Sequence, residues 1–116
     1  MTLIRSQYQP ILTLDYMIKE PENKIFDRKS AKIKPSDLAE TISGFANADG
    51  GTVVIGITDK TREFEGVKII GDKIGDLMSA HKDHCAPMPQ CTIEKLDITN
   101  AQGQPDALLL IPMEYF

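Results

Sequence analysis

The chain has 116 residues, of which 41% are hydrophobic and 26% charged, and its formal net charge at pH 7 is −4. This length suits one domain with a real hydrophobic core, and this composition excludes a disordered protein. The longest unbroken apolar run, residues 107–111, is far too short to span a bilayer, so we expect no membrane partner. The first residues lack the basic start and apolar centre of a signal peptide, which predicts a cytoplasmic protein with reduced cysteines.

The first part of the chain predicts a short helix and a charged strand. Residues 14–18 have the spacing of an amphipathic helix that ends before Pro21. Residues 24–30 predict an edge strand, because charged residues surround a short apolar centre. Between Lys24 and Lys34, five basic residues and one acid give a local charge of +4, so the remainder of the chain carries −8. Such a patch matters more to a nucleic-acid partner than the net charge does.

The middle of the chain predicts a helix that leads into a buried strand. The helix is expected over residues 36–48, with Ser36 or Asp37 as its cap. Three residues form its apolar stripe: Leu38, Ile42 and Phe45. The double glycine at 50–51 closes the helix and lets the chain reverse. The strand that follows, residues 53–57, is apolar enough to be the buried centre of a sheet.

The second half predicts three more strands and a second long helix. Residues 67–70 are expected to return as a strand and form a hairpin with the central one. A helix then begins with Asp72 as its cap and turns four residues toward the sheet: Ile74, Leu77, Met78 and His81. Residues 91–99 predict a strand with a bulge near 94–95, where the apolar positions change parity, and residues 107–111 predict the last strand. The expected fold class is α+β, a mixed β-sheet of about five strands with two main helices packed against it.

Two sequence motifs carry a family resemblance. FANADGGTVVIGITD at residues 45–59, preceded by ENKIFDRKSAKI at residues 22–33, resembles the AlbA-type domain of Schlafen proteins and of many bacterial predicted transcriptional regulators. The resemblance implies an AlbA/Schlafen-like nucleic-acid-binding module, with DNA favoured over RNA. Because the chain stops soon after a buried strand, we expect residues 1–116 to be a single N-terminal domain of a longer regulator. A C-terminal regulatory domain would follow, and a homo-oligomer is possible.

The basic segment is the first candidate site. It contains four cations that could contact backbone phosphates without reading bases: Arg28, Lys29, Lys32 and Lys34. Alternation along the chain would place Arg28, Ser30 and Lys32 on one side, whereas the family's most regular cation matches Lys29. The alternative is a solvated charged edge. A non-catalytic DNA-binding module of a bacterial transcriptional regulator is the leading hypothesis.

Three carboxylates form the second candidate site. In the nuclease branch of the Schlafen family, the resemblance implies, two acids five residues apart and one after the central strand hold a divalent metal for RNA cleavage. Glu22, Asp27 and Asp59 stand at the matching positions, although the family more often has glutamate at the second one. Clustered carboxylates bind Mg²⁺ or Mn²⁺, which activate water and neutralise phosphate charge. The alternatives are a metal-dependent endoribonuclease and three unconnected surface acids.

A nucleotide-binding turn is the third candidate site. The family is in places labelled divergent ATP-binding, and a cradle for ATP would fall on Asn47, Asp49, Gly50 and Gly51. The chain has no G-x-x-x-x-G-K-[ST] motif, so a Walker-type site is excluded. The more ordinary role of these residues is to end a helix, and an ATP-sensing domain is the third hypothesis.

A zinc site is the weakest candidate. Four residues could act as ligands: His81, His84, Cys85 and Cys91. Their spacing matches no closed structural site. His81 falls on the apolar face of the predicted helix, so we expect it to be packed in the core.

Overall fold

The computed structural model describes residues 3–4, 12–19, 22, 26–46, 50–58, 60–84 and 91–113. The strands are β1 (Leu3–Ile4), β2 (Leu12–Thr13), β3 (Phe26–Lys29), β4 (Gly51–Ile55), β5 (Glu94–Thr99) and β6 (Pro105–Met113). The helices are α1 (Leu14–Lys19), α2 (Pro35–Ala46), α3 (Ile74–Met78) and α4 (Ala80–Asp83), and a 3₁₀ helix spans Lys68–Lys73. None of the described helices is long and apolar enough to cross a membrane.

Four strands form the main sheet in the order β3, β4, β6, β5, and β1 pairs with β2 in a separate two-stranded sheet. β3 runs parallel to β4, whereas β4 and β5 each pair antiparallel with β6. The predicted α+β class with a mixed sheet is confirmed, although the main sheet has four strands within the described residues rather than about five. The edge position predicted for β3 is confirmed as well. β3, which carries the first half of the basic segment, therefore has a neighbouring strand on one edge only.

The central strand and the helix before it are as predicted in outline. Every residue of β4 is buried, and the strand lies between β3 and β6. The helix begins at Pro35, and the N–H of Leu38 donates to the carbonyl of Lys34 at 2.9 Å. The cap predicted at residues 36–37 is therefore wrong, because proline already occupies the first helical position. Gly50 has φ 79° and its N–H donates to the carbonyl of Phe45 at 3.0 Å, which closes the helix.

Both faces of the sheet are covered, and each has its own hydrophobic core. The α2-side core comprises Ala31, Leu38, Ala39, Ile42, Val53, Ile55, Val67, Leu77, Ala80, Ala107, Leu109, Ile111 and Met113, with Phe45 only partly buried against it. The α1-side core comprises Met17, Phe26, Val54, Ile57, Leu96, Ile98, Leu108 and Leu110. Successive residues of β4 and β6 alternate between these cores, which explains why both strands read as unbroken apolar runs.

The two cores also explain the irregular pattern of β5. The bulge predicted near residues 94–95 is wrong, because the pairing of β5 with β6 keeps one register back to the isolated bridge at Cys91. Ile93 packs against the α2-side core, whereas Leu96 lies in the α1-side core. The apolar positions change parity because the segment serves one core and then the other, not because a residue is inserted.

The strand predicted at residues 67–70 is wrong, because this segment begins the 3₁₀ helix. The Oδ1 atom of Asp106 accepts hydrogen bonds from the backbone N–H groups of Val67 and Lys68, each at 3.0 Å. The Val67 N–H also donates to the carbonyl of Ala107 at 3.0 Å, whereas the Lys68 N–H is bound to the carboxylate and is not available to a strand ladder. Gly66, with φ 77°, turns the chain immediately before them.

The long helix predicted from Asp72 is divided in two, and Asp72 itself lies within the 3₁₀ helix instead of capping a helix. Ser79 separates α3 from α4, and its hydroxyl donates to the carbonyl of Gly75 at 3.1 Å. Such a side-chain bond to the preceding turn bends helices. Met78 is 38% exposed rather than turned toward the sheet, whereas His81 is buried as predicted.

Candidate nucleic-acid interface

A groove lies where the basic segment leaves β3 and enters α2. It has a volume of about 700 Å³ and is open to solvent. Besides Arg28, which is almost fully buried, six polar residues line it: Lys29, Ser30, Lys32, Asp37, Glu40 and Thr41. The wall formed by the strand and loop is cationic and the wall formed by α2 is anionic. A polyanion would therefore lie along the lysines rather than across the groove.

The lysines of this segment are not equivalent. Lys32 and Lys34 are exposed, and neither makes an ion pair with another described residue. Lys29 differs, because its Nζ lies 3.3 Å from Oδ2 of Asp27 and its side chain is only 35% exposed. An ammonium group with a carboxylate partner has less to gain from a phosphate. The two loop lysines are therefore the better placed for phosphate contact.

The loop that carries these lysines is anchored by Glu65. Its carboxylate accepts hydrogen bonds from the hydroxyl of Ser30 at 2.9 Å and from the N–H of Ala31 at 2.8 Å. The Ser30 hydroxyl oxygen in turn accepts the N–H of Lys32 at 3.1 Å. These hydrogen bonds hold the backbone of residues 30–32 against Glu65. No pattern in the sequence signals this function of Glu65, which lies 34 residues after Ala31 along the chain.

Arg28, the fourth cation predicted to contact phosphate, lies on the other face of the sheet. It is 1% exposed, and its Nε donates to the carbonyl of Met17 at 2.9 Å. Its guanidinium also lies 5.2 Å from the centre of the Phe26 ring. Neighbouring residues of a strand point to opposite faces, so Arg28 enters the α1-side core while Lys29 faces α2. The guanidinium is therefore a buried structural donor and is not exposed for phosphate contact.

The family comparison agrees with this fold. A family model described as Schlafen, AlbA_2 matches residues 22–114. The chain belongs to this family. The resemblance seen in the two sequence motifs is thereby confirmed, and membership suggests a function connected with nucleic acids. No curated protein matches the chain.

The three carboxylates of the Schlafen AlbA_2 domain are described only in part. Glu22 Oε2 accepts the backbone N–H of Arg28 at 3.1 Å, so this acid closes the edge of β3. Asp27 pairs with Lys29 through Oδ2, and its Oδ1 is buried with no hydrogen-bond partner among the described residues. Asp59 lies outside the described residues. Within the described ranges, no three His, Cys, Asp or Glu side chains are close enough to hold a metal ion.

The nucleotide-binding candidate is also covered only in part. Gly50 and Gly51 are buried at the start of β4, where both adopt positive φ angles. Asn47 and Asp49, which would complete the cradle, lie outside the described residues. The described pair acts as the turn between α2 and the central strand.

The histidine of the Schlafen AlbA_2 core is a packed residue, as predicted. His81 is 9% exposed, and its Nδ1 has no partner among the described residues. Burial and the neighbouring Lys82 hold the pKa of His81 below its usual range, against the opposing effects of Met78 and Asp83. The ring is therefore neutral at pH 7. His84 is exposed, and Cys85 lies outside the described residues.

Proposed function

We propose that this Schlafen AlbA_2 domain binds nucleic acid, DNA more tightly than RNA, by holding backbone phosphates on the loop of residues 30–34. One observation carries the proposal: Lys32 and Lys34 are exposed and unpaired among the described residues, on a loop that Glu65 fixes. Each phosphate held by a lysine releases counterions, which supplies affinity without base readout. Lys29 adds a weaker contact, because binding must compete with Asp27.

The same proposal extends to the biological setting. We propose that residues 1–116 form one domain, the N-terminal part of a longer cytoplasmic regulator of bacterial transcription. The regulator would hold DNA through this domain and take its signal from a C-terminal one. The family membership and the exposed loop lysines support this role.

The test is the salt dependence of DNA binding. Neutralising both loop lysines in a Lys32→Gln, Lys34→Gln variant should flatten the log–log salt slope by about two units, because each phosphate contact contributes about 0.9. Binding would be measured by fluorescence anisotropy on duplexes of unrelated sequence. The matched control is Lys95→Gln, since this exposed lysine lies on β5 at the opposite edge of the sheet.

The outcomes separate clearly. A flatter slope in the loop variant, an unchanged slope in the control and equal affinity for unrelated sequences would support phosphate contact by the loop. An unchanged slope in the loop variant would place the interface on another surface and overturn the proposal. Tighter binding of RNA than of DNA would overturn the preference for DNA.

A metal-dependent endoribonuclease is the second candidate function, and Asp27 favours it. Its Oδ1 atom is buried and has no hydrogen-bond partner among the described residues, and a cation would satisfy such an oxygen. Glu22, Asp27 and Asp59 would hold Mg²⁺ or Mn²⁺, which would supply an activated water and neutralise phosphate charge. Against this, Asp27 is one methylene shorter than the family's usual glutamate. We therefore expect weak or no cleavage by this domain alone.

The nuclease test uses two substitutions with opposite expected effects. Structured RNA and single-stranded DNA would be incubated with the domain in Mg²⁺ and then in Mn²⁺. Cleavage that disappears in Asp59→Ala and increases in Asp27→Glu would make the nuclease the primary function. Cleavage that neither substitution changes would come from a contaminant, and the non-catalytic function would stand.

A further inference from the structure

A second cavity adjoins the groove and shares the side chain of Lys32 with it. It has a volume of about 430 Å³ and is more enclosed than the groove. Its apolar lining includes Ile33, Ile69, Ile70 and Leu77, and its charged lining consists of Lys32, Lys73 and Asp76. The cavity lies between the anchored loop and the 3₁₀ helix. Anything held along the loop lysines would pass its opening.

The cavity combines an apolar interior with cations that have no described partner. Ile69 is 59% exposed, the most exposed large apolar side chain among the described residues. Lys32 and Lys73 are both exposed, and neither makes an ion pair with a described residue. A ligand with a flat, weakly polar group would cover the apolar surface of Ile69. Negative charge on both sides of that group would pair with Lys32 and Lys73. A nucleobase between two phosphates has this chemistry.

We propose that this cavity receives one unpaired base of a single-stranded nucleic acid, with the flanking phosphates on Lys32 and Lys73. The inference rests on the proposed function, because it requires that phosphates follow the loop. The volume is within the range of small-ligand pockets and leaves room for a nucleoside. A base paired in a duplex cannot enter, so the cavity confers a preference for single strands or for duplexes with an unpaired base.

Asp76 gives the cavity a base preference. A carboxylate accepts hydrogen bonds and donates none, and Asp76 lines the same cavity as Ile69. Adenine, cytosine and guanine carry an exocyclic amino group that can donate to it, whereas the ring N3–H of thymine and uracil lies between two carbonyl oxygens that a carboxylate repels. Oligonucleotides of deoxyadenosine or deoxycytidine should therefore bind more tightly than those of thymidine.

The experiment compares three probes of about 12 nucleotides, a length typical of single-strand sites. They are oligo-dC, the same backbone with abasic sites in place of the bases, and a blunt duplex; oligo-dT of the same length is added to test the base preference. The pocket variant is Ile69→Ala, and the matched control is Met78→Ala, because both residues are exposed and apolar but Met78 does not line the cavity. Folding of each variant would be checked by circular dichroism.

We expect Ile69→Ala to weaken binding of oligo-dC roughly threefold to tenfold and to leave duplex and abasic binding unchanged. Met78→Ala should change none of the three affinities. Lys73→Gln should weaken oligo-dC binding and flatten its salt slope by about one unit. Oligo-dT should bind more weakly than oligo-dC, and Asp76→Asn should reduce that difference.

Contrary results fall into two groups. If the oligonucleotides bind through Lys32 and Lys34 but Ile69→Ala has no effect, or weakens all three probes equally, the cavity holds no base and phosphate binding by the loop survives. If no probe binds at all, both proposals fail. An acidic, leucine-rich peptide that shifts the methyl signals of Ile69 and Leu77, when oligo-dC does not, would assign the cavity to a protein partner and overturn the inference.

Discussion

On one side of the sheet arginines hold a helix in place, whereas on the other side carboxylates hold the connecting segments. The helix α1 receives hydrogen bonds at two of its last carbonyls, from Arg28 Nε to Met17 at 2.9 Å and from Arg62 Nη1 to Lys19 at 3.0 Å. A helix of six residues is marginal alone, and its final carbonyls need donors. The two arginines supply them.

The α2 side needs the opposite kind of partner. Glu65 accepts the N–H of Ala31 in the loop before α2, and Asp106 accepts the N–H of Val67 at the start of the 3₁₀ helix. Segments that begin a helix or a tight turn leave N–H groups unpaired, so acceptors are required there. The sign of each structural charge follows from which backbone groups need partners. Lysines take neither role in the described residues, which leaves them to the surface.

The largest expected effect tests the two neighbouring cations of β3. Arg28→Ala should lower the free energy of unfolding by about 3 to 5 kcal/mol, because it leaves a cavity and an unpaired Met17 carbonyl. Lys29→Ala, which removes a partly buried ion pair in which the Asp27 side chain is 16% exposed, should cost less, about 1 to 2 kcal/mol. Urea denaturation measures both. Equal losses in the two variants would contradict the assignment of one cation to the core and the other to the surface.

The next effect tests how closely the 3₁₀ helix is held on the α2 side. Gly66 and Gly103 have nearly identical φ angles, 77° and 78°. A Cβ at Gly66 would overlap the Asp106 carboxylate. A Cβ at Gly103 would have no described atom within 4 Å apart from those of its two chain neighbours. We expect Gly103→Ala to cost about 1 kcal/mol and Gly66→Ala roughly 2 to 4. Similar decreases in melting temperature for the two variants would show that the Asp106 side chain moves away from the new Cβ at little cost.

The third effect is a pH dependence. Burial raises the pKa of Asp106, but hydrogen bonds from the Asn100 amide and from the N–H groups of Ala107, Lys68 and Val67 outweigh it and hold the pKa below its usual range. The resulting stability is complete above the unfolded-state pKa of about 3.9 and is lost as the pH falls through the lower folded-state value. Removing the charge with Asp106→Asn should therefore cost about 1 to 2 kcal/mol at neutral pH.

That cost should shrink when the pH is lowered from about 5 to about 2. Urea unfolding curves of both proteins across this range provide the measurement. A difference between them that stays constant with pH would mean that the Asp106 carboxylate contributes no more than its amide replacement does.

The smallest effect concerns an exposed pair on α1. Lys19 Nζ lies 3.3 Å from Asp15 Oδ2, but the two side chains are 74% and 62% exposed. Water and salt screen such a pair, so Lys19→Ala should cost less than about 0.5 kcal/mol. A loss comparable to that of Arg28→Ala would mean that α1 depends on its surface charges as much as on its buried arginine.

Local pattern was enough to predict the elements whose sequence signal lies within a few neighbouring residues. The stripe of Leu38 and Ile42, the glycine turn at Gly50 and the apolar run of β4 all follow from short-range spacing, and the structure confirms them. The strand expected at residues 67–70 did not form, because the Lys68 N–H is bound by the carboxylate of Asp106, which lies 38 residues further along the chain. A carboxylate that distant leaves no mark on the local periodicity.

The sequence by itself determined the α+β class, the central strand and the family, because helical spacing, β-branched runs and two motifs are local properties of the chain. Tertiary structure decided which cations face solvent. Arg28 and Lys29 are adjacent and equally basic, and only the packing of α1 against the sheet turns Arg28 into a buried donor. In the same way, only the distant Glu65 makes the loop of Lys32 a fixed surface, since a hydrogen bond between remote segments depends on the complete fold.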